Sequence, residues 1–231
     1  MALTGCFGGD GSDGPTLTLE ADPTASYSDQ QLDSVPDVLT QRLQVLGYGD
    51  ATVEKESSTE WKVQLPADAQ NLTAEELTSP GGAEFRQVVA TAANAEAEPS
   101  QPDAIVLPDE TGAFLELGRP EINSDQVDES EAAIPEGRTE WVITVKFDVD
   151  GAAAWQRLTA AAACKTGDQQ RIAIVVGGEL VSSPTVQATP CEEGIPGDTT
   201  EITGAFNKDE AEQLAHQIAF HPLAVSLQPA G

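Results

Sequence analysis

The sequence predicts an α+β fold: a ferredoxin-like split base that is interrupted by an inserted α+β head subdomain. Near the N-terminus the patterns run strand, helix, strand, strand, and the end of the chain shows a helix followed by a strand. Together these patterns complete the β-α-β-β-α-β order of a ferredoxin-like unit. The long segment between them has strand and helix patterns of its own, and 231 residues are enough for two modest cores.

Apolar spacing places the first elements of the base. Residues 16–20 alternate between polar residues and leucine, which predicts a half-buried strand. A helix is predicted next, with Ser34 as its cap and Pro36 in its first turn. Its apolar residues recur at spacings of three and four: Leu32, Val35, Leu39, Leu43 and Leu46. Two further strands are predicted at residues 52–56 and 61–65.

The middle of the chain predicts the inserted head and a connector. The motif Thr73-x-x-Glu76 is typical of a helix cap, and residues 83–89 predict a strand. Residues 90–109 are rich in Ala, Glu and Pro without any period, which is typical of a mobile connector. A strand over residues 141–147, followed by a helix, indicates a second core. The tryptophans lie at apolar positions and are expected in the cores: Trp61, Trp141 and Trp155.

Two local motifs toward the C-terminus carry the most information. Apolar, β-branched runs flank Gly177 and Gly178, which predicts a tight hairpin because a two-residue primed turn requires positive φ. Further along, Asn207 can cap a helix, and Glu210 stands three residues later, as in a capping box. A final alternating strand is expected over residues 223–227.

The hairpin and the capped helix, in this order, resemble the first extracytoplasmic domain of the SecD/SecDF protein-export subunit family. The matching residues of this region are Ala173, Ile174, Val175, Gly178, Val181, Ser182, Pro184, Val186, Gln187, Ile202, Thr203, Gly204, Phe206, Glu210, Ala211, Leu214 and Ala215. The resemblance covers residues 15–228 and is also strong from Leu39 to Leu65. The chain departs from the family at Gly177, where Asp is usual, and at Ala67, where Gly is usual.

The sequence patterns and the resemblance together divide the chain into four segments. Residues 1–15 are expected to be a lipobox remnant and flexible tether, and residues 16–90 with 207–231 the base. Residues 91–113 are expected to be a connector and residues 114–206 the head, the part that the family is thought to use to engage emerging polypeptide. The family continues into membrane helices, whereas this sequence has no run of 18 or more apolar residues.

The resemblance also implies a function, since no other motif in the sequence names one. It predicts a non-enzymatic, SecD-like extracytoplasmic module that assists protein export by transient contact with translocating or unfolded polypeptide, with Sec translocon components as further partners. The alternative is a divergent SecD-like structural or partner-binding lipoprotein with no export role, because a retained fold does not imply a retained function. The sequence assigns no residues to polypeptide binding.

Charge excludes two classes of partner. Thirty-nine acidic residues against eleven basic ones give a formal net charge of −28. Such a field repels nucleic acid and argues against a basic patch that docks on anionic lipid. The acidity itself is explained either by solubility or by salt adaptation of the organism.

The N-terminus predicts lipidation at Cys6. The stretch Leu3-Thr4-Gly5-Cys6 fits a lipobox, in which the thiol of the cysteine receives a diacylglycerol. Residues 7–15, made largely of Gly, Asp and Ser, are typical of a tether. Because so few residues precede Cys6, either the start is truncated or the match is accidental. A genuine lipobox places the chain at the extracytoplasmic face of a bacterial cell membrane, held there only by its lipid.

Cys164 and Cys191 are predicted to form a disulfide. Cys164 ends a helical segment and Cys191 lies in a loop, and in an oxidising compartment such a pair is usually joined. Two unrelated free thiols are the alternative. Neither cysteine has a CxxC partner or a histidine nearby in sequence, so no metal site is predicted.

No catalytic site is predicted, and the chain is not expected to be an enzyme. The two histidines, His216 and His221, fall on different helix faces without a nucleophile motif. The glycine pairs lack the spacing of a phosphate-binding loop, so no cofactor is expected. An acidic cluster without the spacing of a calcium loop is interpreted as a solvated helix face: Asp125, Asp128, Glu129 and Glu131.

Overall fold

The computed structural model describes most of the chain, namely residues 13–67, 69, 72–188 and 190–230. These residues belong to two units. Unit 1 is the described part of Met1–Ser79 and Leu223–Gly231, and unit 2 is the described part of Pro80–Pro222. Cys6, for which the sequence predicts lipidation, lies outside the described residues, as does most of the predicted tether.

Four α-helices and twelve β-strands occur in this described part. The helices are α1 (Asp29–Val45), α2 (Ala74–Thr78), α3 (Val149–Ala163) and α4 (Lys208–Ala219). The strands are β1 (Asp13–Ala21), β2 (Thr52–Lys55), β3 (Glu60–Pro66), β4 (Ala83–Ala92), β5 (Ile105–Pro108), β6 (Phe114–Asn123), β7 (Val127–Ala133), β8 (Val142–Phe147), β9 (Ile172–Val176), β10 (Glu179–Ser182), β11 (Thr199–Thr203) and β12 (Leu227–Pro229). None of these helices combines the length and apolar character that crossing a membrane would require. The predicted α+β class is confirmed.

Unit 1 has the ferredoxin-like strand order. Its sheet runs β12-β1-β3-β2, and all neighbouring strands are antiparallel. Along the chain the unit is β1-α1-β2-β3-α2-β12, with the residues of unit 2 inserted before the last strand. The split base predicted from the sequence is therefore present.

The second helix of unit 1 is α2, and this differs from the sequence prediction. The sequence placed residues 207–219 in the base, whereas α4 packs on β7 and β8, and Leu214 and Ile218 join the core of unit 2. Strand β4, also predicted in the base, lies in unit 2 as well. Apolar periodicity indicates which face of a helix is buried, but it does not indicate which sheet covers that face.

Helix α1 begins earlier than predicted. Ser28, rather than Ser34, is the N-cap, and it forms a capping box with Gln31. Pro36 therefore lies inside the helix instead of in its first turn, where its missing N–H removes the usual donor to the carbonyl of Leu32. The helix persists because most helical stability in proteins comes from packing of the apolar face.

The core of unit 1 contains a buried arginine. Apolar side chains from the sheet and from α1 fill this core: Leu19, Val35, Leu39, Leu43, Trp61, Val63 and Leu65. Arg42 is 1% exposed and donates to the carbonyl oxygens of Leu77 at 2.9 Å and Ser79 at 2.8 Å. Desolvation lowers the pKa of Arg42 to about 10, so the guanidinium stays charged at neutral pH and fastens α1 to the end of α2.

Unit 2 contains two antiparallel sheets and the helices α3 and α4. One sheet runs β10-β9-β4-β6-β5 and the other runs β11-β8-β7. Phe85, Phe147 and Trp155 lie in their common core, with ring centroids 5.2, 5.6 and 6.0 Å apart. Trp141 is half-buried against the same core. With Trp61 in unit 1, all three tryptophans pack against the cores as predicted.

Two segments of unit 2 correct the sequence prediction. Residues 90–109, predicted as a mobile connector, include the end of β4 and the whole of β5, which pairs with β6. The acidic cluster lies on a short 3₁₀ turn at Asp125 and on strand β7, and not on a helix. Strand β7 is an edge strand with Asp128, Glu129 and Glu131 exposed, so it lacks the apolar alternation by which a strand is recognised.

The two local motifs near the C-terminus are confirmed. Strands β9 and β10 form the predicted hairpin, in which Gly177 and Gly178 have φ values of 59° and 87°. Asn207 caps α4: its side chain accepts from the N–H of Glu210 at 3.0 Å, and its own N–H donates to the carboxylate of Glu210 at 2.9 Å.

Candidate functional site

Two sheet edges within unit 2 border one cavity. One edge is β11, at the end of the three-stranded sheet, and the other is the chain that leaves β10, at the end of the five-stranded sheet. The cavity has a volume of about 250 Å³, and we call it the β10–β11 groove. Its lining consists of Glu110, Ser182, Ser183, Pro184, Glu201, Ile202 and Thr203.

Strand β11 presents backbone groups along its outer edge. The N–H of Phe147 donates to the carbonyl of Asp198 at 2.7 Å, which sets the alternation of bonds between β8 and β11. Along two antiparallel strands, residue pairs that are joined by backbone hydrogen bonds alternate with pairs that are not. The backbone of Ile202 therefore bonds to β8, whereas the backbone groups of Glu201 and Thr203 point away from β8. Of the strands that the structure describes, only β8 pairs with β11. Within the part of the chain that the structure describes, the outer edge of β11 is therefore open.

The opposite wall of the groove is already hydrogen-bonded. Beyond β10 the chain continues as an irregular edge, in which Thr185 forms a bridge with Arg171. The carbonyl of Pro184 accepts from the N–H of Ile172 at 3.1 Å, and the carbonyl of Ser183 accepts from Nε of Arg171 at 2.9 Å. This wall is a fixed surface, because its carbonyl groups are engaged by the neighbouring chain.

A buried ion pair holds Arg171 against this wall. Both terminal nitrogens of its guanidinium lie 3.1 Å from Oδ2 of Asp109, whose side chain is 3% exposed. One of them also donates to the hydroxyl of Ser183. Carboxylate oxygens of Asp168 and Glu110 lie 3.3 and 3.8 Å from the guanidinium, at more exposed positions. One cation thus faces three carboxylates.

The turn that follows β5 keeps Asp109 ionised. Its carboxylate accepts from the Thr111 hydroxyl at 2.7 Å, from the Thr111 N–H at 2.9 Å and from the Ala113 N–H at 3.1 Å. The bond from the Thr111 hydroxyl is the largest cause that lowers the pKa of Asp109 to about 2, and Arg171 adds to it.

Sequence analysis missed this ion pair. Asp109 falls at the end of the segment predicted as a connector, and neither it nor Arg171 was given a role. The two residues are 62 positions apart, so no local pattern joins them. The one available signal was the run Asp-Glu-Thr-Gly that begins at Asp109, which is typical of a turn in which the aspartate accepts from the backbone two residues on.

The rim of the groove is acidic. The side chain of Glu110 is 68% exposed and that of Glu201 is 47% exposed. Glu201 accepts from Arg138 at 2.9 Å, but solvent weakens this ion pair because both partners are about half exposed. The groove therefore combines an open strand edge with carboxylates that water still reaches.

The loop between the two walls is fastened to α3. A disulfide joins Cys164, at the end of α3, to Cys191, and their Cα atoms are 5.1 Å apart. The N–H of Ile195 donates to the hydroxyl of Thr159 at 2.8 Å. Gly194 has a φ of 66°, and a Cβ at this position would collide with the backbone of α3. The loop is thus positioned by a covalent bond, a hydrogen bond and a close approach.

The histidines singled out by the sequence lie outside the groove lining. His216 stacks on Phe220 with ring centroids 6.4 Å apart, and Nε2 of His221 lies 3.8 Å from the carboxylate of Asp125. Among the described residues, the one group with metal-ligand spacing is Glu192 with the two cysteines, which offer no thiolate while they are joined to each other.

A known protein family matches the region that contains the groove. The family described as "SecDF, P1 head subdomain" matches residues 102–225. This range is more than half of the chain, and it includes both walls of the groove, Arg171 and the disulfide.

Curated relatives extend the match beyond this region. The protein translocase subunit SecDF of Brucella abortus biovar 1 (strain 9-941) is 32% identical over 193 residues, which cover 80% of this chain and 24% of that protein. The protein translocase subunit SecD of Synechocystis sp. (strain ATCC 27184 / PCC 6803 / Kazusa) is 25% identical, over 89% of this chain and 49% of that protein. The chain thus spans from about a quarter to about half of the length of these two relatives.

Solved structures share the fold. A structure titled "Crystal structure of SecDF in Super-membrane-facing form" matches 94% of this chain and 29% of its own, with a TM-score of 0.65 and 20% identity. Another, titled "Structure and function of a membrane component SecDF that enhances protein export", matches 94% of this chain and 98% of its own, with a TM-score of 0.64 and 19% identity. At such identities the likeness is one of fold alone.

Proposed function

The chain belongs to the SecD/SecDF family, and on this premise we propose that it is a non-enzymatic extracytoplasmic module that assists protein export by transient contact with translocating or unfolded polypeptide. The relatives are named as protein translocase subunits, and Sec translocon components are the further partners that this role entails. The proposal concerns only the part of those relatives that this chain spans.

The observation that carries the proposal is the open edge of β11 along the β10–β11 groove. An extended segment can add to a sheet edge through main-chain hydrogen bonds, which do not depend on its side chains. The outward backbone groups of Glu201 and Thr203 supply donors and acceptors for such bonds. Proteins usually cover their edges or blunt them, so an open edge beside a cavity suits a contact with passing chains.

The contact is expected to be weak and reversible. The two outward-facing residues that line the groove, Glu201 and Thr203, allow only a few main-chain bonds, and each such bond contributes a net of about 0.5–1.5 kcal/mol. Ordering an unfolded segment opposes this gain. Weak binding fits the proposed role, because a translocating chain has to be released at each step.

We also propose that the protein is held at the extracytoplasmic face of the membrane by lipid on Cys6. The support is the lipobox pattern that ends at this cysteine. Metabolic labelling with a radioactive fatty acid in a bacterium that expresses the natural gene tests it. The wild type should carry the label, and Cys6→Ser should not. Equal labelling of the two proteins, or no label on either, would refute the anchor.

Strand addition is tested by removing one outward N–H from β11. Thr203→Pro deletes the N–H that faces the groove while leaving the bonds of Ile202 to β8 in place. Binding of a reduced, unfolded polypeptide is measured by fluorescence anisotropy. We expect the wild type to bind and Thr203→Pro to raise the dissociation constant by about two- to tenfold, the loss that one main-chain bond entails.

The matched control is Ala132→Pro on β7, the other edge of the same sheet. Ala132 lies opposite Ile143 of β8, and the backbone groups of Ile143 bond to β11 on the other side. The N–H of Ala132 therefore has no bond to β8 and points outward. This variant should bind as the wild type does, and circular dichroism checks that both variants are folded. Absence of binding by the wild type would refute the proposal and favour the structural lipoprotein. Equal losses in both variants would refute binding at β11.

A further inference from the structure

We infer that the β10–β11 groove selects extended segments that carry lysine or arginine, an inference that rests on the proposed contact with unfolded polypeptide. The main-chain bonds along β11 carry no information about sequence. Any preference must therefore come from the side chains that line the groove, and the charged residues among them are Glu110 and Glu201. The groove thus favours one sign of charge in its occupant.

Two cations lie beside the groove, and both are already paired. Arg138 lies 2.9 Å from Glu201 in a half-exposed ion pair that solvent weakens. Arg171 lies 3.1 Å from Asp109 and 3.3 Å from Asp168, and it donates further to the carbonyl of Ser183. Glu110 approaches the same guanidinium only to 3.8 Å, beyond hydrogen-bond distance. Three carboxylates around one guanidinium leave a local excess of negative charge beside the groove. An anionic occupant would add to that excess, whereas a cationic one would relieve it.

Glu110 is the carboxylate placed to meet a cation from outside. Its side chain lines the groove and is 68% exposed, whereas the side chain of Asp109 is 3% exposed. The buried Asp109 takes both terminal nitrogens of Arg171, so the ion pair does not require Glu110. Glu110 can therefore turn to a basic side chain of an occupant without breaking the contact that fixes the wall.

Glu201 adds a second preference through the geometry of strand pairing. A residue added directly opposite Glu201 would place its Cβ about 5 Å from that of Glu201. Opposite charges across such a pair are favourable and like charges are unfavourable. Lysine or arginine is thus favoured at this position of the occupant, and aspartate or glutamate is disfavoured. The partner of stated chemistry is a basic, extended stretch of unfolded polypeptide.

The test separates this local preference from the general attraction of a chain with a net charge of −28. Three labelled peptides share one β-prone sequence and carry Lys, Gln or Glu at alternate positions. Their affinities are measured at about 50 mM and about 500 mM salt. The proteins are the full wild-type chain, the double variant Glu110→Gln/Glu201→Gln, and the control Glu129→Gln/Glu131→Gln. The control removes the same charge from exposed positions of β7.

We expect the wild type to bind the Lys peptide about fivefold or more tightly than the Gln peptide at low salt, and the Glu peptide least tightly. High salt should shrink the difference. In Glu110→Gln/Glu201→Gln the affinities for the Lys and Gln peptides should differ by no more than about twofold. The β7 control should keep the affinity ratio of the wild type.

Each other outcome counts against a specific claim. Equal binding of the Lys and Gln peptides to the wild type would overturn the basic preference and leave the proposed contact with polypeptide standing. If the ratio of the affinities for the Lys and Gln peptides fell equally in both double variants, the basic preference of the groove would be overturned too. Net charge alone would then explain the preference. An unchanged ratio in Glu110→Gln/Glu201→Gln would exclude these two residues as its source. Failure of every peptide to bind the wild type would overturn the proposed function together with this inference.

Discussion

The two walls of the β10–β11 groove differ in how their backbone is used. In the wall at residues 182–184, the carbonyls of Ser183 and Pro184 already accept bonds from Arg171 and Ile172. In the wall formed by β11, the backbone groups of alternate residues point outward and remain for an occupant. The first wall therefore determines the shape of the groove, and the second offers the hydrogen bonds.

Removal of the buried carboxylate should disturb the fixed wall most strongly. In Asp109→Ala, Arg171 loses its best-buried partner and its charge is left with Asp168 and Glu110. Asp109 also accepts three hydrogen bonds from Thr111 and Ala113, so we expect the free energy of unfolding, measured by urea denaturation, to fall by about 3 kcal/mol.

The matched control is Asp168→Ala, which removes a carboxylate from the same guanidinium at a position that is 48% exposed. It should lower the free energy of unfolding by less than about 1 kcal/mol. Equal losses in the two variants would contradict the assignment of Asp109 as the anchor of this wall.

Removal of the disulfide should loosen the loop that joins the two walls. The cysteines are 27 positions apart, and closing a loop of that length restricts the unfolded chain. The double variant Cys164→Ser/Cys191→Ser should lose about 3 kcal/mol in urea denaturation. The wild type in a reducing buffer should match it. A double variant as stable as the oxidised wild type would mean that the bond contributes nothing to folding.

Acid should weaken the fixed wall. The folded-state pKa of Asp109, about 2, lies below the ordinary value of 3.8, so ionisation of this carboxylate stabilises the folded chain. The contribution, about 2 kcal/mol, is complete above about pH 4 and is lost as the pH falls through about 2. Asp109→Asn should flatten this part of the pH dependence of the unfolding free energy. The same acid dependence in wild type and variant would assign the titration to other groups.

The smallest effect is expected at the ion pair on β11. Arg138 and Glu201 are about half exposed, so solvent screens their interaction. Arg138→Ala should change the free energy of unfolding by no more than about 0.5 kcal/mol in urea denaturation. A loss comparable to that of Asp109→Ala would mean that β11 is held by its charges, and the contrast between the two walls would disappear.

Local chemistry explains which parts of the fold could be predicted. The hairpin depends on two adjacent glycines with positive φ, and the cap of α4 depends on Asn207 and Glu210, three positions apart. The predicted start of α1 was wrong because both Ser28 and Ser34 are residue types that cap helices. The capping box that Ser28 forms with Gln31 decides between them. Where several residues satisfy a local rule, the rule alone does not choose.

Strands without apolar alternation explain much of what was missed. Strand β7 is rich in acidic residues, and β5 is a short run inside a segment of connector composition, so neither carries a strong periodic signal. Both form because neighbouring strands offer them a hydrogen-bonding edge. The candidate site has the same difficulty, since β11 pairs with β8 and Asp109 with Arg171, and the members of each pair are distant in sequence.

Periodicity and contacts between residues a few positions apart are enough to predict the α+β class, the split base, the tight hairpin and the capped helix. Folding of the whole chain places α4 in unit 2, brings Asp109 to Arg171 across 62 positions and sets an open edge of β11 opposite a fixed wall. Burial and strand pairing between distant segments depend on the packing of whole sheets. Such packing leaves no local pattern in a single chain.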